Sequence, residues 1–287
     1  MLRYFFQGLF GIVFFILIFS SHATATEIIF SDFSDTSILT LNGAASTPST
    51  SNGDVLRLTP ASASQAGSAF STQTIRAATF STYFQFRITD PGGSIFDGNS
   101  INGADGLVFV VQNVASDIGS AGGAIGYGGI NPSVGVEFDT WHNSAYSDPS
   151  SNHVGINTNG SLTSLTTVNV GNDAVRAEGF DNGNIWNSWI DYDGSNLEVR
   201  LNTFASRPSD ALLSYALDIP EILGVDDAYV GFTSGTGADW GNHDILAWEY
   251  RDQYDPVIDP DPVPEPSTWI LLGTGLAGLA FYRRKKS

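Results

Sequence analysis

An all-β sandwich of two antiparallel sheets is the fold this sequence predicts, on three observations. From Glu27 to Asp252 the chain reads as short apolar or alternating segments separated by clusters of Gly, Asn, Ser and Asp, which is how strands joined by turns are written. No long helical period runs through that stretch. Where the alternation can be followed residue by residue, Phe84, Phe86 and Ile88 fall on one side of an extended chain and Tyr83, Gln85 and Arg87 on the other. One face is therefore buried, and the other is wet or meets a second layer.

In chain order, residues 1–25 read as a signal peptide, with Arg3, an apolar run from Leu9 to Phe19, and the small residues Ser20 to Ala25, where cleavage is expected. That run is about half of the roughly 20 apolar residues a membrane span needs. Strands are expected at Ser81–Ile88, Gly106–Gln112, Ser133–Thr140, Val154–Asn157, Ser188–Tyr192, Leu197–Leu201, Tyr229–Thr233 and Asp244–Tyr250. Turn residues from Asp191 to Asn196 join two of them as a hairpin. The domain, 27–252, is followed by an acidic, proline-rich linker at 253–263 that should be extended and semi-rigid, holding the domain away from a membrane. Residues 264–287 carry Pro264-Glu265-Pro266, an apolar run from Trp269 to Tyr282, and the basic end Arg283 to Lys286. On its own this is a short transmembrane helix with a basic cytoplasmic stop. Its order of parts resembles the PEP-CTERM sorting tail of Gram-negative bacteria. The resemblance implies recognition and cutting by an exosortase, and a protein that is membrane-anchored before processing and then sits at the cell surface or in the extracellular matrix.

Between Glu27 and Glu265 the chain has seven arginines, no lysine and 30 carboxylates, a net charge of −23. Such a surface repels nucleic acid and anionic lipid and suits either solubility or cation binding. With no cysteine the domain holds together without disulfides, which a chain of roughly 230 residues can do on its buried core.

The chemistry concentrates between Val136 and Asn157. Glu137, Asp139, Trp141 and Asn143 recur at period two, so on a continuing strand their side chains leave from one face. Neighbouring carboxylates repel and are costly to bury alone, a cost that a cation removes. Past Asn143 the chain reads as a loop that returns Asp148 towards the first carboxylates, with His153 opening the next strand. Oxygen donors from Asp139, Asn143, Asp148 and a backbone carbonyl suit Ca²⁺. Carboxylates joined by an imidazole, from Glu137, Asp139, Asp148 and His153, suit Mn²⁺ or a similar transition ion.

These residues, in identity and in spacing, resemble the metal loop of the legume (L-type) lectins. The resemblance implies a concanavalin-like jelly-roll β-sandwich, with the aromatic carbonyl on Ca²⁺ supplied by Trp141. Ala104-Asp105-Gly106 resembles the family's strand start, in which the Ala-Asp peptide is cis and the Asp carboxylate accepts hydrogen bonds from sugar hydroxyls. The glycine-rich stretch from Gly122 to Gly128 resembles the loop whose backbone N–H meets the sugar, with Gly123 the best match. By the same resemblance Asn143 donates to the sugar and the Trp141 ring stacks on its apolar face. Gly237 to Asn242, with Ala238 and Asp239, edges the pocket and sets which sugar fits, and Trp240 offers a second platform. The function expected is an exported carbohydrate-binding protein that takes a glycan or extracellular polysaccharide and has no catalytic activity.

Two other readings share the sandwich. Glu137-Phe138-Asp139 also resembles the Glu-x-Asp-x-Glu strand of laminarinase-like glycoside hydrolases, yet a retaining hydrolase needs a second carboxylic acid and Trp141 stands at that position. The other alternative is a structural biofilm-matrix protein without sugar binding, against which the intact Asp105, Gly123 and Asn143 speak.

Overall fold

A computed structural model describes residues 26–94, 103–118, 124–172 and 176–258. The expected signal peptide, the sorting tail, the end of the linker and Gly123 lie outside these residues. Among the described residues two antiparallel sheets account for nearly all regular structure, joined by one short helix, Ile219–Leu223.

The first sheet has seven strands. Their order is Glu27–Phe30, Trp240–Arg251, Phe80–Gly92, Trp186–Tyr192, Asn196–Asn202 and Leu213–Ala216, with Leu56–Thr59 also on Trp240–Arg251. The second sheet has eight: Thr166–Asn169, His153–Thr158, Ser133–Asp139, Gly106–Gln112, Asp227–Gly235, Ala66–Ser71 and Leu39–Gly43, with Ile75–Arg76 on Asp227–Gly235. Each expected strand is present, several of them longer than expected. The first of them runs on from Ile88 to Gly92 and the last begins at Trp240. The Asp191 to Asn196 turn does join a hairpin.

Alternation sorts each strand's residues between the core and an outer face. Phe84 and Phe86 point inward from the first sheet and meet Phe109, Phe138 and Phe232 of the second, with ring centroids 5.0 Å apart for Phe84 and Phe232 and 5.1 Å for Phe86 and Phe138. Such tilted and edge-on contacts add to the burial of large apolar area that holds the two sheets together. Two smaller clusters lie on the outer faces: Phe70, Val108, Val110, Ile125, Tyr127 and Ile130 on the second sheet, and Tyr83, Trp189 and Val257 on the first.

A polar chain also crosses the core. His243 Nδ1 lies 2.8 Å from Thr59 Oγ1, which is 3.0 Å from Ser234 Oγ, which donates to the Gly106 carbonyl at 2.7 Å. Burial holds the His243 imidazole neutral, with its pKa lowered from 6.5 to about 3. A histidine kept neutral in the fold but free to charge when unfolded lowers stability as pH falls below its unfolded value. His243→Gln retains a polar group for Thr59 and cannot charge. Its unfolding free energy, measured in denaturant between about pH 6.5 and 4, should therefore fall less steeply than the parent's, by up to about 1.4 kcal/mol per pH unit. Parallel curves for the two proteins would exclude His243 as the responsible group.

Candidate metal and sugar site

Glu137 and Asp139 stand two residues apart on Ser133–Asp139, on the face opposite the inward Val136 and Phe138. Both are buried. Across the ladder Asp139 pairs with His153 and Glu137 with Gly155. A β-carbon at position 155 would overlap Glu137 Oε1, so only glycine leaves room for the carboxylate there. Asn157 donates to Glu137 Oε2 at 2.6 Å and Ser164 Oγ donates to Oε1 at 2.5 Å.

The following loop makes the expected return. A single 3₁₀ turn, Ser144–Tyr146, starts at an extended Asn143 and ends at Ser147 in a left-handed conformation, φ 69°. The Asn143 N–H then donates to Asp148 Oδ2 at 2.7 Å, and the Trp141 N–H donates to Asp139 Oδ1 at 2.6 Å. His153 Nδ1 is 3.1 Å from the Ser150 carbonyl, an acceptor only, so Nδ1 carries the proton. Nε2 is thereby directed at the carboxylates, 3.3 Å from Glu137 Oε1 and 4.0 Å from Asp148 Oδ1. One donor atom each of Asp139, Asp148 and His153 lies within 4.8 Å of the other two.

The electrostatics are those of crowded like charges. Burial, followed by the charges of Glu137 and Asp148, pushes the Asp139 carboxyl well above the usual range. Asp148 is pushed up as well, first by burial, while backbone N–H donation from Asn143 opposes the shift. Asp139, Asp148 and His153 converge on one space, with Glu137 joined to them through His153 Nε2 rather than within the same cluster, and this O,N donor set would suit a hard ion or a transition ion.

Asp105 opens the adjacent strand after a cis peptide bond to Ala104. Its backbone is tied on both sides, since its N–H donates to the Gly235 carbonyl at 3.1 Å and its carbonyl accepts from the Thr140 N–H at 3.0 Å. Thr140 directly follows Asp139, so the strand carrying Glu137 and Asp139 is hydrogen-bonded to the Asp105 turn. The Asp105 carboxyl is 5% exposed and its Oδ2 has no hydrogen-bond partner. Burial, then the charge of Asp239, raises its pKa to about 7, with the Gly237 N–H opposing.

Of the expected sugar contacts, Trp141 and Asn143 are half-buried in the loop beside the cluster and Ala238 is exposed. Asp239 differs from the expectation of an edge residue. It is 1% exposed and faces Gly93, where a β-carbon would overlap its Oδ1. Trp240 is half-buried with its indole against Gly92. Sequence reasoning missed Gly155, Asn157 and Ser164. For the first two a signal exists, because His153, Gly155 and Asn157 repeat at the same period of two that links Glu137 and Asp139.

Fold and site together define a legume-lectin-like sandwich, and comparison with known proteins agrees. Residues 25–265 match the legume lectin domain and residues 262–286 the PEP-CTERM protein-sorting motif. The chain belongs to the legume lectin domain family. The L-type lectin-domain containing receptor kinase VIII.1 of Arabidopsis thaliana is 32% identical over 261 residues, which is 83% of this chain but 33% of the kinase. The chain thus spans about a third of that relative's length. Lectin 1 of Laburnum alpinum is 30% identical over 64% of this chain and 73% of its own. Among solved structures, the metal-free form of lectin I-B4 from Griffonia simplicifolia superposes with a TM-score of 0.63 at 27% identity, covering 78% of this chain and 98% of that one. Basic winged bean lectin with Tn-antigen gives 0.62 at 29% identity, covering 79% and 98%.

If crowding of buried carboxylates is what a cation relieves, removing one of them should have opposite effects with and without metal. In excess EDTA, Asp139→Asn should melt higher than the parent, because a buried charge is gone and the Trp141 N–H keeps an acceptor. With Ca²⁺ at about a hundredfold excess over its Kd, the parent should gain roughly 2.7 kcal/mol and the variant little of it. A variant less stable in EDTA, or equally stabilised by Ca²⁺, would contradict the assignment.

Proposed function

We propose that the protein is an exported, non-catalytic carbohydrate-binding protein whose sugar pocket is held in shape by two cations. Asp139, Asn143, Asp148 and the Trp141 carbonyl would hold Ca²⁺, and Glu137, Asp139, Asp148 and His153 would hold Mn²⁺ or a similar transition ion. The cations supply positive charge that fixes the loop from Thr140 to Asn152 against the strand. The pocket proper is assigned to Asp105, Gly123, Trp141 and Asn143, with Ala238 at its rim. Asp239 supports it from behind by its charge on Asp105.

The observation that carries this reading is the Asp105 carboxyl, which is buried with Oδ2 unpartnered at the start of the strand adjacent to the one that carries Glu137 and Asp139. A buried acceptor without a donor is costly, and sugar hydroxyls are donors of the right reach. A winged bean lectin of similar fold, the acidic one, forms a complex with methyl-α-D-galactose, which fits a ligand of the same chemical class. Catalysis by Glu137 fits poorly, because its oxygens already accept from Asn157 and Ser164 and Trp141 replaces the second acid. The sorting motif at 262–286 supports export, processing by an exosortase, and delivery to the surface or matrix of a Gram-negative cell, where an extracellular polysaccharide is the expected partner.

The test separates sugar contact from metal support. On a glycan array with Ca²⁺ present the parent should bind a restricted set of glycans. Asp105→Asn should weaken that binding by roughly 10- to 150-fold, the value of one charged hydrogen bond of about 1.5–3 kcal/mol. Its Ca²⁺ affinity, measured calorimetrically, should stay unchanged. Undiminished glycan binding by Asp105→Asn would place the pocket elsewhere.

A further inference from the structure

The outer face of the first sheet carries a feature that sugar binding does not use. After Arg251 the chain does not leave the domain as a free linker. Arg251 Nη1 donates to the Asp255 carboxylate at 2.7 Å and to its carbonyl at 3.2 Å, and the Asp255 N–H donates to Ser81 Oγ at 3.1 Å. Two residues on, Val257 is fully buried against Tyr83 and Trp189, whose rings are 5.1 Å apart. Its neighbour Ile258 is 62% exposed and Tyr254 is 50% exposed, so Val257 alone fills the socket.

Register locates this contact. Arg251 pairs with Ser81, Glu249 with Tyr83, and Tyr83 with Trp189, so the segment crosses three neighbouring strands on their outer face. Tyr83 and Trp189 alternate with Phe84 and Ile190, which point into the core. Glu137 and Asp139 point outward from the other sheet. Two stacked sheets therefore separate the socket from the carboxylate–histidine cluster.

We propose that residues 251–258 are a clamp that fastens the outgoing chain to the back of the sandwich, so that whatever holds the C-terminal segment meets the back while the cluster faces away. From Arg251 to Pro264 is thirteen residues, and from Val257 it is seven. At roughly 3.3–3.6 Å per residue the clamp shortens the free spacer before the Pro264-Glu265-Pro266 motif from about 45 Å to about 25 Å. This corrects the reading of residues 253–263 as a spacer that begins where the last strand ends. What the orientation means for a sugar rests on the lectin reading, whereas the clamp does not, and neither measurement below uses a sugar or a metal.

The chain has no cysteine, so single thiols report cleanly on the full-length protein in detergent. Val257→Cys should react with a small aromatic disulfide about 100-fold more slowly than Ile258→Cys, since a packed segment must open before it reacts, and the two should be equal in denaturant. Native rates within about tenfold of each other overturn the clamp. Orientation is read by pulsed electron spin resonance with a nitroxide at Glu265→Cys, paired with one at Ala145→Cys beside the cluster or at Ser214→Cys on the back sheet. The pair with position 214 should be the closer, by about the ~10 Å between stacked sheets, and Val257→Asp should broaden both distributions. Equal mean distances, or distributions that Val257→Asp leaves unchanged, would refute the orientation.

Discussion

Buried carboxylates crowded on one outer sheet face are the constraint from which the functional end of this molecule follows. Glu137 and Asp139 cannot separate, because period two on a strand puts them on the same face and Val136 and Phe138 beside them are committed to the core. Asp148 is brought to them by the loop, and burial, followed by the charges of Glu137 and Asp148, drives Asp139 towards its neutral form. Desolvated like charges persist in a fold when something of opposite sign belongs among them. Here the surrounding groups serve to direct oxygens inward: Asn157 and Ser164 orient Glu137, the Trp141 N–H orients Asp139, and the Asn143 N–H orients Asp148.

The same constraint reaches Asp105, the proposed sugar contact, through the backbone. Thr140 donates to the Asp105 carbonyl and Asp105 donates to Gly235, so the strand carrying Glu137 and Asp139, the Asp105 turn and the loop at 236–239 share one hydrogen-bonded frame. Asp239 adds charge to that frame from a buried position, and together with burial this explains why the Asp105 carboxyl sits at about 7. A frame of this kind is preorganised: under the proposed function a ligand would meet an acceptor already in place, and loss of cations from the loop would be felt at Asp105 without any contact between the two.

Much of this is legible in the amino-acid sequence, for a definite reason. Alternation between core and outer face is a strict period, so the strands and the shared face of Glu137 and Asp139 can be read directly. The return of Asp148 can be read because Pro149 and small polar residues cannot continue a strand. What stays hidden depends on neighbours far apart in sequence. Gly155 matters only because register sets it opposite Glu137, Asp239 turns inward because Gly93 leaves space, and Ser164 reaches Glu137 from the loop beyond the His153–Thr158 strand. Val257 lies among prolines and aspartates, a composition that suggests a spacer. Its burial depends on the Tyr83 and Trp189 pair, 174 and 68 residues earlier.

The two outer faces thus differ: one carries the crowded carboxylates and His153, the other holds the chain's own exit at Val257. The central claim is that cations belong among Glu137, Asp139, Asp148 and His153. Its most direct test is elemental analysis of protein purified without chelator, paired with melting before and after metal removal. The account predicts calcium and a transition ion bound to the folded chain, a lower melting temperature after their removal, and recovery when they are restored. Protein free of both metals, with a melting curve that chelation and Ca²⁺ leave unchanged, would contradict it.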